Sequence, residues 1–330
     1  MKKNIYITGE NGFIARNLIL QLEKNANYEV INNKTNNLLN YKRGEIDFVN
    51  NDYDKLKQFL IDNNTDIIVH SGAIVGTDVC ALYPKETILN NVFGTYNISH
   101  IAKELNIPVV YLGTTVIYDT SLEEVQNGYI TENSIINPIT LYGITKYEGE
   151  IIVKNLLDNY VILRPLFCYG GVRDMNSLMA KTIYADIVNR KDTFKIFLDK
   201  QYYKDYMHVN DFVNAIILAI DCELWTKNTD YNISLMEPKN TREIYETILD
   251  VTNITKDRVE WMPKTDYLKN HRIDNKKFRE DTNWQPKISL IEGIKIQYES
   301  IRKNINEDYN PLKHLDDINR KNINIEKYYE

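Results

Sequence analysis

An apolar run at Lys3–Thr8 ends in Thr8-Gly9-Glu10-Asn11-Gly12-Phe13-Ile14-Ala15, and a helical pattern starts at once and continues to about Lys24. A strand that passes through paired glycines straight into a helix is the opening of a βαβ unit that binds a dinucleotide. Gly9 permits the tight turn. Gly12 leaves the backbone bare, so that a pyrophosphate can approach it, and Ala15 is small enough for the helix to pack on the strand. The phosphate then lies at the helix N-terminus, where the free N–H groups and the helix dipole favour an anion. Asn11, Phe13 and Ile14 complete the loop as candidate cofactor contacts.

The rest of the first half repeats the alternation. Strands are predicted at Tyr28–Asn32, Ile46–Val49, Asp66–His70, Val109–Leu112 and Val161–Arg164. Helices are predicted at Tyr53–Asn63, Leu89–Leu105 and Tyr142–Leu157. Strands alternating with helices imply parallel pairing, and hence an α/β, Rossmann-type doubly wound parallel sheet. After Pro165 the alternation becomes irregular, with helices expected near Ser177–Arg190, Asp211–Ala219, Thr241–Thr252 and Ser289–Lys303. The expected division is a dinucleotide-binding domain over residues 1–166, to which 206–234 return. A smaller C-terminal α/β substrate lobe covers mainly 167–303, followed by a polar tail at 304–330.

Composition removes several function classes. At 330 residues and 43% hydrophobic, the chain can bury a full core. A net charge of −6 without a basic block argues against nucleic acid as a partner. No apolar run reaches the roughly 18 residues of a membrane span. Met1-Lys2-Lys3 leads into a strand rather than a signal peptide. Cys80, Cys168 and Cys222 are odd in number and not closely paired, which fits a reducing cytoplasm. No CxxC pair and no histidine cluster points to a metal.

The chemistry is carried by Tyr142-Gly-Ile-Thr-Lys146. Four-residue spacing places phenol and ammonium on one helical face. Free tyrosine, with a pKa of about 10, is a poor proton carrier at neutral pH, and lowering it by about three units needs roughly 4 kcal/mol of phenolate stabilisation. A nearby cation, a helix N-terminus and a cofactor charge are the sources to expect. Leu112-Gly113-Thr114-Thr115-Val116-Ile117-Tyr118 ends a strand at the carboxyl edge, where such sheets bind ligands. In the resulting triad Thr114 orients a sugar oxygen, Tyr142 transfers its proton, and Lys146 lowers the phenol's pKa and holds the ribose.

The phosphate form of the cofactor is less marked. The second strand ends Val30-Ile31-Asn32-Asn33-Lys34-Thr35, without the acid that usually meets the adenosine ribose. Lys34 suits a 2′-phosphate and tilts the reading toward NADP, with NAD as the alternative. Asp47 is the candidate for the adenine edge, with Asp52 its competitor.

Taken together, these segments resemble the extended short-chain dehydrogenase/reductases of the nucleotide-sugar epimerase/dehydratase/reductase group. The resemblance rests on the glycine turn, Asp66-Ile-Ile-Val-His70-Ser-Gly-Ala73, Asn91-Val-Phe-Gly-Thr95, Thr114…Tyr118, Tyr142…Lys146 and Leu163-Arg164-Pro165 with Tyr169-Gly170. It continues through Tyr203–Asp211, Tyr231-Asn232-Ile233, Trp284-Gln-Pro286 and Glu292-Gly293, covering about residues 3–300 in order. It implies Ser71, Gly72, Ala73 and Asn91 beside the cofactor, with Tyr142 and Lys146. It implies Val75, Thr114, Thr115, Phe167, Lys204 and Arg272 beside a nucleotide-sugar substrate. Lys204 and Arg272 would meet its phosphates, and a homodimer would form through helices near 91–105 and 142–158.

Departures from the family pattern narrow the reaction. Dehydratases of this group usually carry Asp-Glu directly after the catalytic Thr, where this chain has Thr115 and Val116. Epimerase-reductases that enolise C3 or C5 use a cysteine where Thr115 stands. Phe167 occupies a place where relatives commonly have Asn. What is left is hydride exchange at one carbinol/ketone, most simply a C4 epimerase. The alternatives are a 4-keto-sugar reductase or 4-dehydrogenase and, in a different class, a non-catalytic dinucleotide sensor or scaffold.

Overall fold

The computed structural model describes residues 2–31, 53–171, 174, 177, 179–183, 193–198, 202–263 and 269–304. The predicted strand at Ile46–Val49, most of the predicted helix at Ser177–Arg190, Lys34, Asp47 and Asp52 lie outside these residues, as does nearly all of the 304–330 tail.

Among the described residues, six parallel strands form the central sheet: β1 (Lys3–Thr8), β2 (Tyr28–Val30), β3 (Ile67–His70), β4 (Val109–Leu112), β5 (Tyr160–Pro165) and β6 (Thr229–Ile233). Their order is β6-β5-β4-β3-β1-β2. The order reverses direction beside β1, so the carboxyl ends of β1 and β3 flank the crevice of a doubly wound sheet.

Side-chain alternation assigns each strand residue to a layer. Ile5, Ile7, Ile67, Val69, Val110, Leu112, Val161 and Leu163 face one core, covered by α1 (Phe13–Leu22) and by the later helix Val209–Asp221. Tyr6, Ile68, Val109, Tyr111, Tyr160 and Ile162 face the other, covered by α2 (Tyr53–Asp62), α3 (Thr95–Leu105) and α4 (Leu141–Leu156). Each fully buried aliphatic side chain contributes roughly 1.5–3 kcal/mol of transfer free energy. Burial on both faces explains why the strands read as short continuous apolar runs.

A second core gathers Tyr169, Ile196, Tyr206, Ile244, Ile248, Leu249, Val259, Leu290 and Ile294. It packs around α6 (Thr241–Thr252) and α7 (Leu290–Asn304), with Val209–Asp221 counted as α5. Its parallel strand pair, Phe194–Leu198 with Val259–Pro263, was not foreseen from the sequence. Trp284 returns the chain to the first core, its ring edge-on to Phe278, which in turn meets Tyr231 of β6.

The predicted helix Leu89–Leu105 is a longer helical run. Pro84–Ile88 is α-helical, Leu89–Gly94 widens into a π turn, and α3 follows. π turns are rare and concentrate at functional sites. Here the bulge turns Asn91 inward, where its side chain accepts from Ile74 N at 2.8 Å and donates to Ile74 O at 2.9 Å.

Candidate functional site

The glycine turn is built as its sequence demands. Gly9 has φ +69°, and an added Cβ would lie 2.7 Å from Gly72 Cα, so β1 and β3 approach too closely for any side chain. Gly12 N donates to Gly9 O at 2.7 Å and caps α1 without a side-chain hydrogen bond. The first turn of α1 has no acidic residue. A Cβ on Gly12 would meet only Gly9 O, with open space beyond. An uncapped helix start beneath bare backbone fits a pyrophosphate, and the turn is therefore compatible with a dinucleotide. Asn11 is exposed there, while Phe13 and Ile14 pack partly against the first core.

Behind the turn runs a buried chain of hydrogen bonds. Gly72 N donates to Thr8 Oγ1 (2.8 Å), and Thr8 Oγ1 meets His70 Nδ1 (2.7 Å). His70 Nε2 meets Thr95 Oγ1 (3.0 Å), whose hydroxyl donates to Asn91 O (2.6 Å). Because Thr95 spends its proton on a carbonyl, the proton between it and His70 belongs to Nε2, leaving Nδ1 to accept from Thr8. His70 is thus a neutral imidazole. Burial, aided by the charge of Lys146, lowers its pKa to about 3. Asn91 Nδ2 also donates to Thr145 Oγ1 (3.1 Å), which donates to Tyr142 O (3.1 Å). The Ser71-Gly72-Ala73 segment, Asn91 and the Tyr142 helix are locked into one frame.

Thr140 Oγ1 accepts from Gly143 N at 3.1 Å and caps α4, so Tyr142 falls in its first turn. Thr114 follows β4 with extended backbone, and its side chain acts on the Tyr142 phenol, favouring the ionised form. Lys146, one turn further, is buried at 4% exposure, with Nζ 4.1 Å from the centre of the Tyr111 ring. The structure therefore brings Thr114 and Tyr142 into contact and sets Lys146 on the next turn.

The ionisation balance differs from the sequence expectation. Burial pushes the Tyr142 phenol above its ordinary value, the thiols of Cys80 and Cys168 add to the rise, and the Thr114 side chain pulls it back. Burial also lowers Lys146 to about 7, opposed by Glu150 and Cys80. In the protein alone the phenol is not poised near ionisation. Desolvation, which four-residue spacing does not reveal, is the largest influence on the phenol.

The other predicted contacts fall in two places. Val75 is exposed beside the Asn91 bond to Ile74. Thr115 is fully buried, with its hydroxyl directed to Pro165 O at 3.5 Å. Its carbonyl accepts from His271 Nε2 at 3.1 Å, and Phe167 lies edge-on to His271 and stacked on Tyr206 at 5.1 Å between ring centres. Lys204 is buried and bridges backbone to backbone with His271. The Arg272 guanidinium sits 4.6 Å over the Tyr203 ring. Among the described residues no group of His, Cys, Asp or Glu is arranged to hold a metal, and no helix is long and apolar enough to cross a membrane.

With this geometry, the comparisons with known proteins are specific. The model of the NAD dependent epimerase/dehydratase family matches residues 5–234, from β1 through β6. The chain belongs to that family. As a member it is an NAD(P)-dependent extended short-chain dehydrogenase/reductase of the nucleotide-sugar epimerase/dehydratase group. Similar proteins include a UDP-glucose 4-epimerase of Mycolicibacterium smegmatis, 24% identical over 309 residues, covering 87% of this chain and 95% of the relative. A dTDP-D-glucose 4,6-dehydratase of Homo sapiens is 24% identical over 343 residues, covering 95% and 94%. Among solved structures, RMD from Pseudomonas aeruginosa complexed with NADPH superposes with a TM-score of 0.78 at 15% identity, covering 92% of this chain and all of that one. That likeness is one of fold.

Several residues of this family member escaped sequence reasoning. Cys80, buried on the Thr77–Leu82 helix, donates to Ile74 O at 3.5 Å and lies near both Tyr142 and Lys146. Glu150 and Arg164 form a buried pair behind the site. Glu150 was detectable as the residue four beyond Lys146. Nothing in the sequence ties Cys80 or His271 to it.

Proposed function

We propose that the protein transfers hydride to and from a carbinol/ketone, at C4, of a nucleotide-activated sugar, as an epimerase. The observation that carries this reading is the Thr114–Tyr142 hydroxyl pair at the carboxyl end of β4, with the Lys146 amine one turn away and no acid beside Thr114. Thr114 fixes the sugar oxygen, and Tyr142, once ionised under the positive charges of Lys146 and of the bound cofactor, accepts its proton as the carbinol is oxidised. The same phenol returns the proton when the ketone is reduced from the other face, so there is no net redox change. Lys146 supplies positive charge to this step and a donor to the ribose. NAD(P), held at the Gly9–Gly12 turn, supplies the hydride acceptor; Lys34 favours the 2′-phosphate form.

The dehydratase reading suggested by the human relative is less well supported. Thr115 and Val116 carry no acid, and the Thr115 hydroxyl is turned into the fold toward Pro165. Lys204 and Arg272 flank Tyr203 and are proposed to meet the substrate's phosphates. The aromatic wall of Phe167, Tyr206 and His271 is proposed to replace the polar contact that relatives make with Asn. The same site would serve a 4-keto-sugar reductase, and the two are separated by what happens to the cofactor. Incubation with UDP-, GDP-, CDP- and dTDP-sugars is expected to interconvert C4 epimers, detected by proton NMR, with nicotinamide absorbance unchanged. Stoichiometric loss of NADPH with a 4-keto sugar and no epimer formation would select the reductase instead.

A further inference from the structure

Lys146 is the cation of the proposed catalytic trio, and it sits where a charge is costly. Around its amine stand Glu150 from its own helix, Cys80 from Thr77–Leu82, His70 from β3 and Tyr111 from β4. His70 is neutral by its hydrogen-bond pattern, and burial pushes the Cys80 thiol up to about 12. Among the described residues, Glu150 is therefore the sole negative charge facing Lys146.

Glu150 is itself fully buried and held on three points by Arg164. Nε donates to Oε1 at 3.1 Å and to Oε2 at 3.2 Å, and Nη2 donates to Oε2 at 2.7 Å. Arg164 Nη1 donates in turn to Tyr118 Oη (2.6 Å) and pairs with Asp230 Oδ2 (2.6 Å), while Asp230 Oδ1 holds Lys154 (2.9 Å). Burial raises the Glu150 carboxyl, and the guanidinium opposes it. The pair also abuts the backbone before Thr114. A Cβ on Gly113 would come within 2.5 Å of Glu150 Oε1 and 3.1 Å of Arg164 Cγ.

A buried ion pair of this kind is weak evidence of stability, because desolvation offsets most of its attraction. Its placement suggests another use. We propose that Glu150, clamped by Arg164, is a positioning residue: its fixed carboxylate keeps Lys146 charged and braces the end of β4 that carries Thr114. This rests on the reading of Tyr142 and Lys146 as the proton-transfer pair. Glu150 is fully buried and acts through Lys146.

The test is the ionisation of Lys146 in the full-length protein, followed by ¹³Cε/¹⁵Nζ NMR and assigned with Lys146→Arg. In Glu150→Gln the Lys146 midpoint is expected to fall by at least about one pH unit, the effect of removing one close opposite charge. The alkaline limb of the kcat/KM profile is expected to move down with it. Because Glu150→Gln strands the Arg164 charge and can unfold the chain, Glu150→Gln/Arg164→Gln, which removes both charges, is the second variant; its Lys146 midpoint is expected to fall too, by less than in Glu150→Gln because the guanidinium's repulsion is gone with it. A Lys146 midpoint unchanged in a folded variant overturns the proposal. Since this titration needs no turnover, it fails separately from the catalytic reading, which is overturned by full activity in Tyr142→Phe.

Discussion

The side chains of Thr114 and Tyr142 meet, one at the end of β4 and the other in the first turn of α4, and Thr114 counters the upward push of burial on the phenol. Thr114 Oγ1 also accepts from Val116 N at 3.3 Å, which restrains its rotamer and leaves its proton free to be donated. A general acid–base group contributes about 10²–10⁴-fold to a rate. Tyr142→Phe is expected to lose activity within that range while binding cofactor as the wild type does. Thr114→Val, which removes orientation but leaves the phenol, should lose less. Steady-state kinetics together with NAD(P)H fluorescence titration check this. Weakened cofactor binding in Tyr142→Phe, in place of slowed chemistry, would remove the phenol from its assigned role.

The neutral His70 gives a pH signature of the same frame. Its folded pKa is lowered to about 3, while an unfolded histidine titrates near 6.5. Between these values the unfolded chain binds a proton that the folded chain does not. The stability it confers is therefore complete above pH 6.5 and is lost on acidification, at about 1.4 kcal/mol per pH unit once titration is complete in the unfolded state. Asp205, pushed up to about 7 by burial, acts in the opposite sense, so the informative quantity is a difference between two proteins. Urea unfolding of wild type and His70→Asn from pH 7 to pH 4 is expected to show wild type losing the additional 1.4 kcal/mol or so per unit. Parallel curves would mean that His70 is protonated in the fold.

What the sequence made legible was local. Gly9, Gly12 and Ala15 could be placed because turn, phosphate approach and helix packing each restrict one nearby position. Tyr142 and Lys146 could be paired because helical geometry fixes which residues share a face. The misses are non-local. The π turn at Leu89–Gly94 arises where Asn91 meets the Ile74 peptide across the fold, and no run of residues announces that. Phe194–Leu198 and Val259–Pro263 pair across a long intervening segment. The upward push on Tyr142 is a burial effect, whereas spacing reveals only its charged neighbour. Glu150 was visible as a residue one turn past Lys146 but not as a buried one, since its partner Arg164 lies on a different element.

Tyr111 and Gly149 make a close fit beneath Lys146. A Cβ on Gly149 would stand 2.2 Å from Tyr111 Oη, and that hydroxyl donates to Lys146 O at 3.2 Å. Gly149→Ala must displace the ring on which the Lys146 amine rests, and overpacking of this kind costs about 1–3 kcal/mol. Removing the obstructing oxygen should recover part of the loss. Gly149→Ala/Tyr111→Phe is therefore expected to be more stable than Gly149→Ala alone, by chemical denaturation. Additive destabilisation by the two changes would contradict the contact.

An apolar surface crosses the outer faces of two neighbouring helical runs. Ile88, Phe93 and Tyr96 are exposed along residues 84–105, and Ile144 and Ile151, seven apart and so on one face, are exposed on α4. α3 and α4 pack on each other, so these side chains belong to a shared patch. Contiguous exposed apolar surface of this kind marks an association site. A twofold contact would oppose the same residues of two copies. The protein is expected to sediment as a dimer, and Phe93→Glu, which would bring two like charges together in an apolar contact, is expected to sediment as a monomer with its far-ultraviolet circular dichroism unchanged. Wild-type protein sedimenting as a monomer at high micromolar concentration would remove this face as the contact. Because α4 carries Tyr142 and Lys146, a dimer built on it would also brace the catalytic helix from outside. The Phe93→Glu monomer should then turn over more slowly than wild type while keeping the same pH profile.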